Sequence, residues 1–443
     1  MRSGESRLAS ANVGTLFVVI QSPAVRAVRP DDPGSRSRLA PELAQSSGLP
    51  EAVIDSLTVL IVVPSVHAGA ADAGTMQLVR ILAANGHVPI VVASGGRMVP
   101  DIIAAGGRFV AMNMASRNPV IMLRNAMALT RMVREFNCDV VHAHGRAPAW
   151  SAYVAARRTG VPFVTSWYKG FREQNVFKRI YNGVMARGDR IIAVGDQIAE
   201  LIVERYNTPQ NRITVIPASI DLERFDPARV SRARIDAVRD LWGVGRDVKV
   251  ILVVGRILRR KGHHVVVEAV HRLREMGLKD FLCVFVGEDQ GGTRYTGELW
   301  DLVLATNTTD VIRMTGPTHD LPAAFAASTV VVNAAIQPEG LQRAILEAQA
   351  MARPIVVSDL GAGPDVVLAP PAVPEDRMTG LRFSSGDSMA LATALVRLFS
   401  LPESGRSAIG ARGRAWVTSN FGSAAVVQPT LHLYAEVARR RQP

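Results

Sequence analysis

NAAIQPEGLQRAILEAQAMARPIVVSDLGAG, residues 333–363, reads as one complete unit of an alternating fold. An apolar run at 329–332 ends in a loop carrying Pro338, Glu339 and Gly340. Leu341, Ile345, Ala348 and Ala352 then recur at helical spacing, Pro354 closes the helix, and residues 355–357 are a short apolar strand. This order, with strands apolar on both faces, predicts a parallel sheet covered on both sides. Ligands of such sheets bind where strands end and helices begin, which puts Glu339 and the following helix at the site.

Glu339 in the loop and Glu347 in the helix are separated by seven residues. Helical side chains lean toward the helix N-terminus, so Glu347 can point back to the crevice that Glu339 lines. Two carboxylates accept hydrogen bonds from hydroxyls, which suits a sugar or a ribose. The competing reading is an i,i+4 pair of Glu347 with Arg343, worth a few tenths of a kcal/mol at most.

A second cluster lies upstream, in VKVILVVGRILRRKGHHVVVE (residues 248–268). A strand-like run ends at Gly255, Arg256 follows, and Lys261-Gly262 opens a helix. Free backbone N–H groups at that helix start and two side-chain cations predict an anion site, with Arg256 and Lys261 on a diphosphate. Arg259 and Arg260 allow the plainer reading of a solvated basic loop.

Gly255-Arg256 with Lys261-Gly262, followed by Glu339 and Glu347, resembles the donor site of the family-4 retaining glycosyltransferases of GT-B fold. The resemblance runs from Ser56 to about Arg440 and includes VHAHGRAPAW, MARGDRIIAV, the Gly316/Asp320-Leu321-Pro322 segment and LEAQAMARPIVVSDLGAG. Within the family, the chain looks most like bacterial enzymes of lipopolysaccharide-core and surface-polysaccharide assembly. The resemblance implies two Rossmann-like β/α/β domains facing a cleft, with a last helix crossing back to the first. It also implies a hexosyltransferase that retains anomeric configuration without a metal or other cofactor, using a nucleotide sugar as co-substrate. In this sequence Gly340, Leu341 and Gln342 complete the donor loop, and Gly69 belongs to the loop facing the reaction centre.

Length and composition agree with two globular domains: the chain has 443 residues, 48% hydrophobic and 20% charged. Cys138 and Cys283 lie singly beside apolar runs, which argues for two buried thiols rather than a disulfide. The net charge of +12 is uneven, with 20 Lys and Arg against 12 Asp and Glu in residues 56–230. Without interleaved aromatics or a nucleic-acid motif, this favours an anionic membrane surface or acceptor over nucleic acid. No apolar run reaches the roughly 18–20 residues of a membrane span, and a cytoplasmic protein, peripheral at the inner membrane, is expected.

Read in order, residues 1–55 are a polar extension without period, expected to be disordered. Residues 56–226 form the acceptor-side domain, 227–247 a linker with one helix, 248–415 the nucleotide-sugar domain, and 416–443 the returning helix. The first strand, 57–63, is followed by a loop without Gly-x-Gly-x-x-Gly, which argues against a dinucleotide enzyme. The helix at 120–136 carries Arg124, Arg131 and Arg134 beside apolar positions, which suits either a core-packed helix or one on an anionic membrane. Residues 139–144 form a strand ending in His144, and 145–148 the loop after it. His142 and His144 lack a third ligand and no Asp-x-Asp occurs, so no metal site is expected; His144 or Arg146 is instead an acceptor or phosphate contact at the cleft edge.

Two departures from the family pattern stand out. Where relatives carry His-Gly at the reacting end of the cleft, this chain reads Tyr168-Lys169-Gly170, so Lys169 becomes the candidate. An ammonium cannot do what a neutral imidazole does at pH 7. Where relatives have Glu-Gly-Phe-Gly, the chain has Glu339-Gly340-Leu341-Gln342, which narrows the pocket or reads a different hydroxyl pattern. The expected function is sugar transfer to a hydroxyl of a surface glycan or glycolipid. Glu339 acts at the reacting centre, Arg256 and Lys261 on the diphosphate, and Glu347 on the ribose. The alternative is a non-catalytic relative that binds nucleotide sugar or membrane as an assembly partner.

Overall fold

The structure is a computed structural model and describes residues 56–67, 70–168, 170, 175–289, 294–338 and 340–439. The extension 1–55 lies outside the described residues.

Among the described residues, short runs of β-branched residues make thirteen strands, most of them buried end to end as expected for sheets covered on both faces. β1 (Thr58–Val62), β2 (Val88–Ala93), β3 (Arg108–Ala111), β4 (Val140–His144), β5 (Phe163–Trp167), β6 (Arg190–Ala193) and β7 (Ile213–Val215) form a seven-stranded sheet. Its order is β3-β2-β1-β4-β5-β6-β7, all parallel. The crossovers are α1 (Ala70–Ala84), α2 (Val99–Ala104), α3 (Pro119–Glu135), α4 (Arg146–Thr159), α5 (Val176–Asn182) and α6 (Asp196–Tyr206).

After α7 (Arg232–Trp242), a second parallel sheet follows. It contains β8 (Lys249–Val254), β9 (Phe281–Val286), β10 (Ile312–Gly316), β11 (Val330–Asn333), β12 (Ile355–Ser358) and β13 (Gly380–Phe383), in the order β10-β9-β8-β11-β12-β13. Its helices are α8 (His263–Glu275), α9 (Arg294–Ala305), α10 (Leu321–Ala327), α11 (Arg343–Ala350), α12 (Gly363–Val366), α13 (Ser388–Ser400) and α14 (Glu403–Phe421). Each sheet therefore reverses strand order once, between β1 and β4 and between β8 and β11. The crevices outside those strand ends are where such sheets hold ligands.

The chain turns at Gly422 and α15 (Ser423–Arg439) returns to the first sheet. Val426, Leu433, Tyr434 and Val437 join β1, β2 and α1 in one buried cluster. This is the crossing helix expected from the resemblance, and its bounds lie within one residue of the helical pattern that the sequence shows from Ala424 to Arg440. Both expected β/α/β domains are present, with apolar layers on each face of each sheet. Cys138 and Cys283 are buried free thiols.

Three local expectations are corrected. Residues 145–148 are not a loop: Gly145, at φ 106°, turns the chain so that α4 starts at Arg146. Pro148 is accommodated because the first helical turn has no N–H partner to lose. The helix after Glu339 begins only at Arg343, with Gln342 still extended. Residues 171–190, which are basic and carry Phe177, Ile180, Tyr181 and Met185 at near-helical spacing, read in sequence as a helix; the structure has the shorter α5 followed by a 3-10 turn at Gly183–Arg187, and residues 171–174 lie outside the described residues.

Candidate functional site

The crevice of the second sheet is built by two loops locked together. At the end of β8 the chain turns at Gly255, φ 150°, and runs through a 3-10 turn, Arg259–Lys261, into Gly262 at φ 71°. Gly262 lies so close to the segment after β11 that a Cβ there would be 1.8 Å from the Ala334 carbonyl oxygen. No side chain fits in that space. The Ile336 N–H donates to the Arg260 carbonyl at 2.9 Å, fastening the same two segments. Gly287, after β9, backs onto the Gly255 carbonyl in a similar way, with an added Cβ 1.9 Å away.

These contacts place the predicted cations. Arg256 is exposed and has no side-chain hydrogen bond or ion pair among the described residues. The Lys261 stem passes over Gly255 and its ammonium donates to Gln342 Oε1 at 2.6 Å. Arg259 belongs elsewhere: it pairs with Glu298 and lies over the Tyr295 ring, 5.0 Å from its centroid. The expectation of several free N–H groups is corrected. The N–H groups of Lys261 and Gly262 close the turn onto the Leu258 and Arg259 carbonyls, and that of His264 donates to the Tyr295 hydroxyl at 3.3 Å. Positive potential here comes from side-chain charge and the α8 dipole more than from unpaired amides.

Glu347 is on α11, the helix after β11, 5% exposed, with Arg343 at 3.2 Å. The i,i+4 pair therefore forms, but on a buried carboxylate rather than a surface one. Burial raises its pKa, and the positive charge of Arg343 opposes that rise. Leu341 packs partly against the core of this sheet, and Gly340 is half-buried beside it. Gln342 also pairs with Asn333, the last residue of β11, through two amide hydrogen bonds. Asn333 is a site residue that sequence reasoning passed over; a polar residue closing an apolar strand is the signal that marks it.

At the crevice of the first sheet, His144 ends β4 as expected but is only 1% exposed. Thr75 of α1 uses its hydroxyl hydrogen on the Ala71 carbonyl at 2.9 Å and faces His144 Nδ1 at 2.9 Å. His144 Nε2 has no hydrogen-bond partner among the described residues. Burial lowers the His144 pKa to about 4, so the ring is neutral at pH 7. Tyr168, at the end of β5, brings its hydroxyl to 3.3 Å from Nδ1 and fits against Gly74, where a Cβ would be 2.1 Å from the phenolic oxygen.

His144 lines a cavity of about 50 Å³ with Gln77, Ile192, Ala218 and Thr430. That is room for a few waters. His144 thus lines this cavity with its ring buried rather than in open solvent. Arg146 is engaged, donating to Asn182 Oδ1 at 2.9 Å. Glu339, Lys169 and Gly69 lie outside the described residues. Among the described residues no three His, Cys, Asp or Glu side chains converge as metal ligands.

Residues 73–224 match the family described as Glycosyltransferase Family 4, and residues 248–400 match Glycosyl transferases group 1. The D-inositol 3-phosphate glycosyltransferase of Salinispora tropica is 29% identical over 330 residues, covering 68% of this chain and 65% of that protein. Its counterpart in Frankia alni is 30% identical over 326 residues, covering 67% and 74%. The chain thus spans just under two thirds of the first relative's length. A solved glycosyltransferase of Rickettsia africae superposes with a TM-score of 0.78 at 27% identity, over 87% of this chain and 99% of that one. Anabaena HepE in complex with UDP gives 0.73 at 17% identity, over 86% and 100%. WaaG, a glycosyltransferase involved in lipopolysaccharide biosynthesis, gives 0.65 at 16%, over 85% and 99%. The last two share the fold.

Proposed function

Because the chain belongs to the family-4 glycosyltransferases of GT-B fold, we propose that it transfers a hexose from a nucleotide sugar to a hydroxyl of a cell-surface glycan or glycolipid. What supports this reading is that Arg256 and Lys261 follow β8 and Glu347 stands on the helix after β11, the two strands between which the second sheet reverses its order. The two cations stabilise charge building on the leaving diphosphate, the kind of electrostatic assistance that dominates such chemistry. Glu347 has no hydrogen-bond partner other than Arg343 among the described residues and accepts from the ribose hydroxyls. Glu339 holds the sugar at the reacting centre. Transfer proceeds with retention, without a metal or organic cofactor.

The acceptor reading is supported by the surface of the first domain. Val120, Leu123 and Met127 on α3 and Val176, Phe177 and Ile180 on α5 are all exposed, and Arg124, Lys178 and Arg179 stand among them. Apolar side chains interleaved with cations suit the surface of an anionic bilayer. This supports a reading in which the protein is peripheral at the cytoplasmic face of the inner membrane and takes a lipid-linked acceptor. No helix among the described residues is long and apolar enough to cross a membrane. A second reading, a phosphorylated cyclitol acceptor, is favoured by the names of the relatives.

The test is transfer of labelled sugar from UDP-, GDP- and ADP-sugars to two acceptors offered in parallel, a bacterial glycolipid extract and inositol phosphate. Label in the glycolipid supports the main reading, and label in inositol phosphate alone replaces it with the second. Donor binding without transfer to either overturns both and leaves a non-catalytic binding protein.

A further inference from the structure

Gln342 stands where the resembling family carries a glycine, and the structure gives its side chain a defined set of partners. Lys261 Nζ donates to Oε1 at 2.6 Å, Asn333 Nδ2 donates to the same oxygen at 2.8 Å, and Gln342 Nε2 returns a bond to Asn333 Oδ1 at 3.0 Å. The orientation of both amides follows from the lysine. An ammonium only donates, so the Gln342 atom facing it is the oxygen, and the Asn333 atom facing Gln342 Nε2 is then its oxygen too. Both lone pairs of Gln342 Oε1 are used, and Asn333 is itself fixed as the last residue of β11. The carboxamide is therefore braced before it meets the ammonium. Lys261 spends one of its three N–H groups on it.

We propose that Gln342, braced by Asn333, is a positioning residue that aims Lys261 at the donor diphosphate, doing with a neutral acceptor what a bare glycine cannot. Neutrality matters. A carboxylate at this position would hold the lysine as well but would cancel the charge that the diphosphate needs. An apolar side chain of the same length would leave the charge intact but its direction unset. The inference rests on the donor-site reading above and adds a residue that sets how the site works.

Two near-isosteric variants separate these effects. Gln342→Met keeps the volume and removes the acceptor; Gln342→Glu keeps the acceptor and adds charge. Each is measured for kcat and KM with the donor, for affinity toward inorganic pyrophosphate by calorimetry, and for thermal unfolding. Gln342→Met is expected to lower kcat about tenfold with a smaller change in KM, as a misdirected cation should. Gln342→Glu is expected to weaken pyrophosphate binding and raise donor KM by fivefold or more. Asn333→Leu, which removes the brace alone, is expected to follow Gln342→Met in direction with a smaller loss.

Variants that unfold like the wild type yet match it in kcat, KM and pyrophosphate affinity overturn the proposal while leaving the transferase reading in place. Weakened pyrophosphate binding in Gln342→Glu, with no sugar transfer by any form of the protein, supports the proposal and overturns the transferase reading.

Discussion

The hydroxyl of Tyr434 meets Nδ1 of His142 at 2.6 Å, joining the last helix to the middle of the first sheet across 292 residues of sequence. His142 Nε2 meets Ser166 Oγ at 2.8 Å on the neighbouring strand, so both ring nitrogens are satisfied in a fully buried position. The contact fixes where the crossing helix sits, because an apolar interface alone would permit sliding. Tyr434→Phe keeps the packing and orphans a buried nitrogen. A loss of about 1–3 kcal/mol is expected in denaturant unfolding, with faster amide exchange in α15. Unchanged stability would show the hydrogen bond to be incidental to the docking.

Acid should weaken the protein through its buried histidines. Burial lowers His142, and lowers His144 and His263 to about 4, against 6.5 for an unperturbed ring. The unfolded chain therefore binds protons first as pH falls, so the stabilising contribution is complete above about pH 6.5 and is lost toward pH 4. Each ring contributes a slope of up to about 1.4 kcal/mol per pH unit in that window. Glu347 acts in the opposite sense, since burial raises its pKa and acidification favours the folded form through that one group. Urea unfolding at pH 7.5, 6 and 5 should show a steady decline; a flat profile would contradict the burial of these rings.

Gly262 is the most constrained position of the donor crevice. An alanine there must adopt φ 71° and place its Cβ against the Ala334 carbonyl oxygen, 1.8 Å away, where neither backbone segment can yield. Gly262→Ala should destabilise the second domain by about 2 kcal/mol or more and weaken nucleoside diphosphate binding at least tenfold. Calorimetric binding with a parallel unfolding curve checks both. Wild-type behaviour in each would mean that the two loops are not locked as described.

On the other side of the cleft, Gly74 makes room for Tyr168. Gly74→Ala pushes the phenol off His144 and should cost about 1–3 kcal/mol. Because the conflict is between two particular groups, Tyr168→Ala should absorb most of that cost in the double variant. Additive losses in the double-mutant cycle would contradict the contact.

The fold was largely legible in the sequence because parallel strands buried on both faces appear as short apolar runs between glycines and helical periods, as in residues 281–286 and 355–357. What escaped reading has physical causes. α14 carries Gly405, Gly410 and Gly413 and shows no clear apolar stripe, so it does not look like a helix. Those glycines serve packing: a Cβ on Gly410 would be 2.0 Å from the Ala352 carbonyl, and Gly413 fits against Gln349. Of the site, Lys261 was visible as a charge just before a helix start and Glu347 as a carboxylate within the helix after an apolar strand. The Gln342–Asn333 pair and the burial of His144 under Thr75 were not, because they depend on which loops and helices touch in space rather than on spacing along the chain.

Nucleoside diphosphate release from a panel of nucleotide sugars, by wild type and Lys261→Ala side by side with glycolipid acceptor present, bears on the whole account. One donor should be consumed by the wild type, and Lys261→Ala should be slower by about 10²–10³-fold while remaining folded. Equal rates for the two proteins, or nucleotide binding with no release from any donor, would contradict the assignment of this crevice as the seat of sugar transfer.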